Sequence, residues 1–431
     1  MIARTALRGL LLDSLALWDV AGEVDWLGDE LRLQTADGRC TVLWPAAPGQ
    51  QPARWFLRED NGRTRPTLSI SGLLTALRTA LSASPAPPRL RVTAGPAVTH
   101  RASAAPEAGR IPILVVTGAL GSGKTTLIAR MLADERYGRT AVIVNEFGAI
   151  GLDHALVASS TETLVQLTTG CLCCAVRGDL LDTLLDLDRR RREGEIAFDR
   201  VVIETSGLAD PTPILQGLLT DRAVAGSFVL RGVLTLVDAV HGPAALAELA
   251  EAQRQVALAD RILLTKTDVA DIAGELRASI AILNPDAMLG EAAHGVVEPD
   301  WLFAPGALPQ LPALSRFSTA AHTPGISSLV MVPAKPMPGA ALALFLQALA
   351  EHAGHRLLRA KGLLDVAEQP GCPALVHGVR HIFEPPAWLD HWPGGEARSF
   401  LVLIGHSLPP LWPKRLLAAI TDEVDDEIAS R

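Results

Sequence analysis

Eight residues, Gly118-Ala119-Leu120-Gly121-Ser122-Gly123-Lys124-Thr125, constrain the fold of this 431-residue chain more than any other stretch. They fit G-x-x-x-x-G-K-[ST] at every fixed position. Before them runs the apolar, β-branched Ile111-Pro112-Ile113-Leu114-Val115-Val116-Thr117, which reads as a buried parallel strand. After them, Thr126-Leu127-Ile128-Ala129-Arg130-Met131-Leu132 carries apolar residues at helical spacing. Strand, glycine-rich turn and helix together predict an α/β P-loop NTPase domain on a parallel sheet. In such a turn the backbone N–H groups of Gly118, Gly121, Ser122, Gly123 and Thr126 wrap phosphate oxygens, and the helix presents its positive end to them. Lys124 is placed to reach the β- and γ-phosphates, and Thr125 to ligate Mg²⁺.

Two later segments bear on the choice of nucleotide. Arg200-Val201-Val202-Ile203-Glu204-Thr205-Ser206-Gly207 is a strand ending in a carboxylate, with a glycine three residues on. There Glu204 suits Mg²⁺ or its water shell, and the Gly207 N–H suits a γ-phosphate. Arg261-Ile262-Leu263-Leu264-Thr265-Lys266-Thr267-Asp268 is a third strand, ending in T-K-x-D. An ionised Asp268 accepts both edge N–H groups of guanine, a donor pair that adenine lacks, while the Lys266 stem covers the base. Taken alone T-K-x-D also suits a solvated turn; third in order after a P-loop and an E-x-x-G strand, it favours GTP.

Between the first two motifs lie Asn145-Glu146-Phe147-Gly148, Gly151-Leu152-Asp153-His154 and Gly170-Cys171-Leu172-Cys173-Cys174. With the P-loop, Glu204-Thr205-Ser206-Gly207 and Thr265-Lys266-Thr267-Asp268, they make the chain resemble the CobW family of P-loop GTPases, relatives of the urease and hydrogenase nickel-insertion GTPases. His355-Arg356-Leu357-Leu358-Arg359-Ala360-Lys361-Gly362 and Leu401-Val402-Leu403-Ile404-Gly405 look like that family's C-terminal domain, so the resemblance runs over about residues 109 to 410. It implies a GTP-hydrolysing metallochaperone that passes a divalent metal, zinc or cobalt, to a metal-requiring client protein. Two departures stand out. Ala149 occupies a position where many relatives carry a second Glu, and the stretch Thr319–Gly325 offers only His322 where many carry a histidine-rich loop. Delivery of a single ion fits this sequence better than storage.

The cysteines also have a reading of their own. There are five, three of them within four residues, Cys171, Cys173 and Cys174. An odd count without a secretory signal argues for a reducing cytoplasm and against a disulfide framework. Three clustered thiols suit Zn²⁺ or a similar ion, and Glu146, Asp153 and His154 are the nearest groups in sequence able to complete a tetrahedral site. Buried small hydrophobes or a redox pair are the competing readings. The resemblance favours the metal, because in CobW-like proteins this motif is the metal site coupled to the nucleotide.

Net charge −8 gives no electrostatic reason to expect nucleic acid or an anionic membrane surface, and no apolar run reaches the length of a membrane span. The expected organisation is an accessory module of unassigned role over residues 1–83 and a Pro/Ala-rich linker over 84–109. A P-loop GTPase domain follows over 110–320, then a C-terminal α+β domain over 321–431. The expected catalytic group is Lys124, Glu204 and, near the attacking water, Glu146 or Asp153. GTP·Mg²⁺ would order Asn145 to Asp153 and so move the neighbouring cysteine loop, with slow intrinsic turnover because no arginine finger is evident. A P-loop small-molecule kinase and a nucleotide-stabilised scaffold without hydrolysis are the rival classes.

Overall fold

The first helix, Arg4–Leu17, buries Leu7, Leu10, Leu11 and Leu15, the i, i+3, i+4 spacing that places one apolar stripe on one face. Five antiparallel strands follow as a meander: β1 (Gly22–Leu27), β2 (Glu30–Thr35), β3 (Cys40–Pro45), β4 (Trp55–Arg58) and β5 (Thr64–Thr67). Alternation is clear in β2, where Leu31, Leu33 and Thr35 point inward. The helix Ile70–Leu81 then buries Leu73, Leu74, Leu77 and Leu81. These are features of a computed structural model that describes residues 3–46, 54–81, 109–145, 164–166, 175–269, 274–292, 296–303, 325–393 and 395–429.

The second region is a parallel α/β sheet. Its strands are β6 (Ile111–Gly118), β7 (Thr140–Asn145), β8 (Leu164–Gln166), β9 (Arg200–Thr205), β10 (Phe228–Asp238), β11 (Arg261–Thr265) and β12 (Met288–Ala292). They lie in the order β12-β11-β10-β6-β9-β7-β8, every pair parallel. Parallel strands need helical crossovers, which cover both faces and make central strands apolar throughout. Accordingly β11 is buried at all five positions and β6 at seven of its eight. Successive strands lie on either side of β6, a reversal of direction that opens a crevice at the carboxyl ends. Leu114, Val116, Leu127, Ile128, Met131, Val202, Leu234 and Leu263 belong to its core.

The third region holds β13 (Ile326–Met331), a helix Gly339–Ala348 that runs into a π-helical turn at Leu349–Ala353, β14 (Leu357–Leu364), β15 (Ala374–Val379), β16 (Ile382–Phe383), β17 (Ala387–Trp388), β18 (Phe400–His406) and the last helix Trp412–Ala429. The sheet order is β13-β18-β14-β15-β16, with β17 also paired to β15.

By packing, the chain forms two compact units, Met1–Arg101 with Leu329–Arg431, and Ala102–Ser328. The N-terminal module therefore shares its core with the C-terminal part: Leu7, Leu73 and Leu77 belong to one apolar cluster with Phe345, Trp412, Leu416 and Ile420. Polar contacts reinforce the join. Trp412 Nε1 donates to Ser14 Oγ at 3.0 Å, Arg415 pairs with Asp13 at 2.6 Å, and the buried Glu423 accepts the Ile70 N–H at 2.9 Å. Among the described residues no helix is long and apolar enough to cross a membrane.

Candidate nucleotide site

The crevice is built from the carboxyl ends of β6, β9, β10 and β11, and strand register sets their relative heights. Glu204 lies level with Val116, Leu236 with Gly118, and Asp238 with Thr265. At Gly118 the chain turns with φ +139°, and a Cβ there would sit 2.5 Å from the Leu236 carbonyl oxygen. Only glycine fits both conditions. Gly121 and Gly123 also carry positive φ, and Gly123 caps the helix Lys124–Leu132. Lys124 is buried at the root of the loop, where Nζ donates to the carbonyls of Gly118 (2.8 Å) and Ala119 (3.1 Å). A buried ammonium at the start of a helix that a glycine-rich turn leads into is an arrangement suited to phosphate.

Next to it Thr125 Oγ1 donates to Glu204 Oε1 at 3.2 Å, and Glu204 is only 3 % exposed. A hydroxyl and a carboxylate converging beside a phosphate cradle form a hard, all-oxygen donor set, which suits Mg²⁺. Gly207 follows just past the end of β9. A Cβ at Gly207 would lie 2.7 Å from Leu120 N and 2.8 Å from its Cα, so this loop and the P-loop touch backbone to backbone. Gln255 fixes the far side, with Nε2 donating to the carbonyls of Gly207 (3.3 Å) and Ala209 (3.1 Å).

The T-K-x-D segment is locked to the P-loop through Thr265, whose hydroxyl donates to the Ser122 carbonyl at 2.8 Å. Lys266 adopts φ +57° and its Nζ lies 2.5 Å from Asp238 Oδ2. Asp238 also accepts the Val240 N–H (2.7 Å), the His241 N–H (3.3 Å) and a contact from His241 Nδ1 (3.1 Å). Burial opposes ionisation of this carboxyl, but the Lys266, His241 and backbone bonds outweigh it and hold it below the usual carboxylate range. Asp268 lies exposed two residues beyond Lys266.

Gly118, Gly121, Ser122, Gly123, Lys124, Thr125, Thr126, Glu204, Gly207, Thr265, Lys266 and Asp268 thus fall on the carboxyl edge of one sheet. Asp238 and Gln255 are additions. The first had a signal in sequence, a carboxylate closing a buried strand as Glu204 does; the second had none. Glu146, Asp153, His154, Cys171, Cys173, Cys174 and His322 lie outside the described residues, and among the described residues no cluster of His, Cys, Asp and Glu is able to hold a metal.

Comparison with known proteins agrees with this geometry. Residues 112–289 match the CobW/HypB/UreG nucleotide-binding domain, and residues 326–421 the C-terminal domain of the cobalamin synthesis protein CobW. The chain is 36% identical over 304 residues to the zinc chaperone YjiA of Escherichia coli, covering 69% of this chain and 95% of that one. To the zinc chaperone CobW of Pseudomonas aeruginosa it is 32% identical over 348 residues, covering 69% and 88%. Among solved structures, Zn(II)-bound YjiA GTPase from E. coli superposes with a TM-score of 0.58 at 30% identity, over 72% of this chain and 99% of that one.

Proposed function

Since the chain belongs to the CobW family of P-loop GTPases, we propose that it hydrolyses GTP and uses the cycle to load a client protein with a divalent metal ion, zinc by preference. The observation that carries the nucleotide half is the convergence on one sheet edge of Lys124, the Thr125–Glu204 pair and a T-K-x-D segment bonded to the P-loop. Lys124 neutralises the β- and γ-phosphates. Thr125 and Glu204 would hold Mg²⁺, which would supply neutralisation of the phosphate charge. Asp268 reads the guanine edge, and Asp238 keeps the Lys266 stem extended for the base to lie against. Glu146 or Asp153 orients the attacking water, as the sequence pattern suggests.

Support for zinc comes from the relatives, two of them named zinc chaperones and one crystallised with Zn(II). In this chain Cys171, Cys173 and Cys174 are the thiolate donors that zinc chemistry favours. Because they follow Asn145–Asp153 and precede Glu204 in sequence, γ-phosphate contacts to one segment are able to reposition the other. The cargo binds and leaves with the nucleotide state, in a reducing cytoplasm, and the client receives it.

The test is metal and nucleotide binding to full-length protein carrying Cys171→Ser, Cys173→Ser and Cys174→Ser together. Coupling is reciprocal, so a factor by which GTP changes zinc affinity must equal the factor by which zinc changes GTP affinity. The triple variant is expected to lose the zinc and that factor while keeping basal GTP affinity. Equal zinc affinity with GDP and with a non-hydrolysable GTP analogue would reduce the site to a structural one.

A further inference from the structure

A cavity of about 410 Å³ opens in the unit made from the two ends of the chain. Except for His355, its lining lies outside both family-matched segments, so neither family domain accounts for it. Its walls are of two kinds. Trp18, Val20 and Leu81 supply an apolar side; Arg39, Arg78 and His355 supply a basic one, with Asp19 and Asp37 beside it.

Several local rules are broken around this cavity. Asp19 sits at φ +57°. The backbone beneath takes a π-helical turn at Leu349–Ala353, a form that occurs mostly at functional sites. Trp18 and Arg78 are each 7 % exposed, and neither Trp18 Nε1 nor Arg78 Nε has an acceptor among the described residues. His352, on the π turn, is 1 % exposed with both ring nitrogens unpartnered, and its ring lies 5.6 Å from that of Trp18. Burying donors without acceptors destabilises a fold, and such groups persist where a function retains them.

At His355, on the cavity rim, the arginines outweigh the carboxylates. Asp19 is already paired with Arg356, and Asp37 with Arg39 and the Thr35 hydroxyl. Arg78 gives one N–H to the Glu351 carbonyl, and Glu351 itself is engaged by Thr75 and Gln347. Arg39 and Arg78 thus line the cavity together with Asp19 and Asp37, and among the described residues Arg78 is the one of these four with no oppositely charged side chain bonded to it. Burial lowers the pKa of His355, and Arg78 and Arg356 lower it further, against the raising effect of Asp19. For His352, burial and then Arg78 push the value down to about 3.

We infer that this cavity is a binding site for a small organic anion, a carboxylate or a phosphate monoester with an apolar body. The charged group meets Arg78, Arg39 and His355, and the body lies against Trp18 and Leu81. The inference does not depend on the nucleotide reading, since no residue is shared with that site. Occupancy would bridge the N-terminal module and the C-terminal part, and so stabilise their union by mass action.

The experiment is calorimetric and NMR titration of full-length protein with benzoate, phenyl phosphate and, as a neutral isostere, benzamide. One or both anions are expected to saturate at one per chain, with the His355 ring titrating at higher pH once the anion is bound. Arg39→Ala and Arg78→Gln should each weaken the anion by roughly tenfold or more, while GTP affinity stays unchanged. If Arg78→Gln fails to fold, Arg39→Ala and His355→Ala, both at the cavity rim, carry the test. Preference for phenyl phosphate over benzoate would assign the phosphate ester, and the reverse the carboxylate. Benzamide binding as well as benzoate, no saturation by any of the three, or undiminished anion binding by the variants would overturn the site.

Discussion

Lys124 and Asp238 hold their places by different means, and that sets what each substitution does. Lys124 is a buried ammonium whose acceptors are two P-loop carbonyls, and no other cation in the motifs is placed for the β- and γ-phosphates. Lys124→Ala should abolish tight GTP binding, as read by equilibrium binding of a labelled nucleotide, while leaving the melting transition cooperative. Asp268→Asn should lower the preference for GTP over ATP in competition, because an amide presents only one acceptor to two N–H donors; an unchanged preference would remove Asp268 from base recognition. Asp238 acts one step away. Its carboxylate is ionised by virtue of the Lys266 and His241 bonds, so Asp238→Asn should release Lys266 and weaken guanine and adenine nucleotides alike. Loss of affinity without loss of discrimination separates it from Asp268.

Among the elements, the loop after β9 and the last helix carry the clearest expectations. Gly207 touches the P-loop backbone, and backbone cannot yield as a side chain can. Gly207→Ala should therefore strain both loops by roughly 1–3 kcal/mol and lower GTP affinity by about tenfold or more, with the rest of the fold unaltered. On the last helix, Glu423 is 8 % exposed; burial raises its pKa, opposed by the Ile70 N–H and by Arg54. A folded-state pKa above the unfolded one means that the folded form holds the proton longer. The associated stability is complete below the unfolded value and is lost as pH rises through the folded one. Glu423→Gln, which still accepts the Ile70 bond, should flatten that decline, so denaturant midpoints of the two proteins should diverge from pH 4 to pH 7 in favour of the variant. Much at this scale was legible in the sequence. Buried apolar runs marked β6, β9 and β11, and helical spacing of apolar residues marked the helix Lys124–Leu132. β4 and β5 were not, since Trp55–Arg58 and Thr64–Thr67 are four residues each and β5 contains Pro66, which demotes a run read alone. The π turn escaped for another reason: Leu349–Ala353 continues a helical pattern, and only the tertiary fit around His352 distinguishes it.

For the molecule as a whole, the largest departure from sequence order is the union of its two ends. Fixed-position motifs bring the candidate nucleotide site into view because each residue's proposed role follows from its neighbours in the chain. Packing of Leu73 and Leu77 near Ile420 and Trp412 leaves no such trace, as it links positions more than 330 residues apart. Deleting residues 1–81 should therefore uncover the apolar face of the last helix and yield protein that aggregates or binds hydrophobic dyes, whereas the segment 102–328 alone should stay monomeric and retain GTP binding. A monomeric, dye-silent truncation would show that the C-terminal part closes its core unaided. The same union has a consequence during synthesis. The nucleotide-binding unit is continuous and can close as soon as it leaves the ribosome, but the N-terminal helices must wait for a last helix that begins at Trp412. At about 5–20 residues per second that wait is on the order of tens of seconds. Throughout it a leucine-rich segment stands without its partner surface, which makes this chain a natural passenger for cotranslational chaperones and makes elongation rate a determinant of its yield.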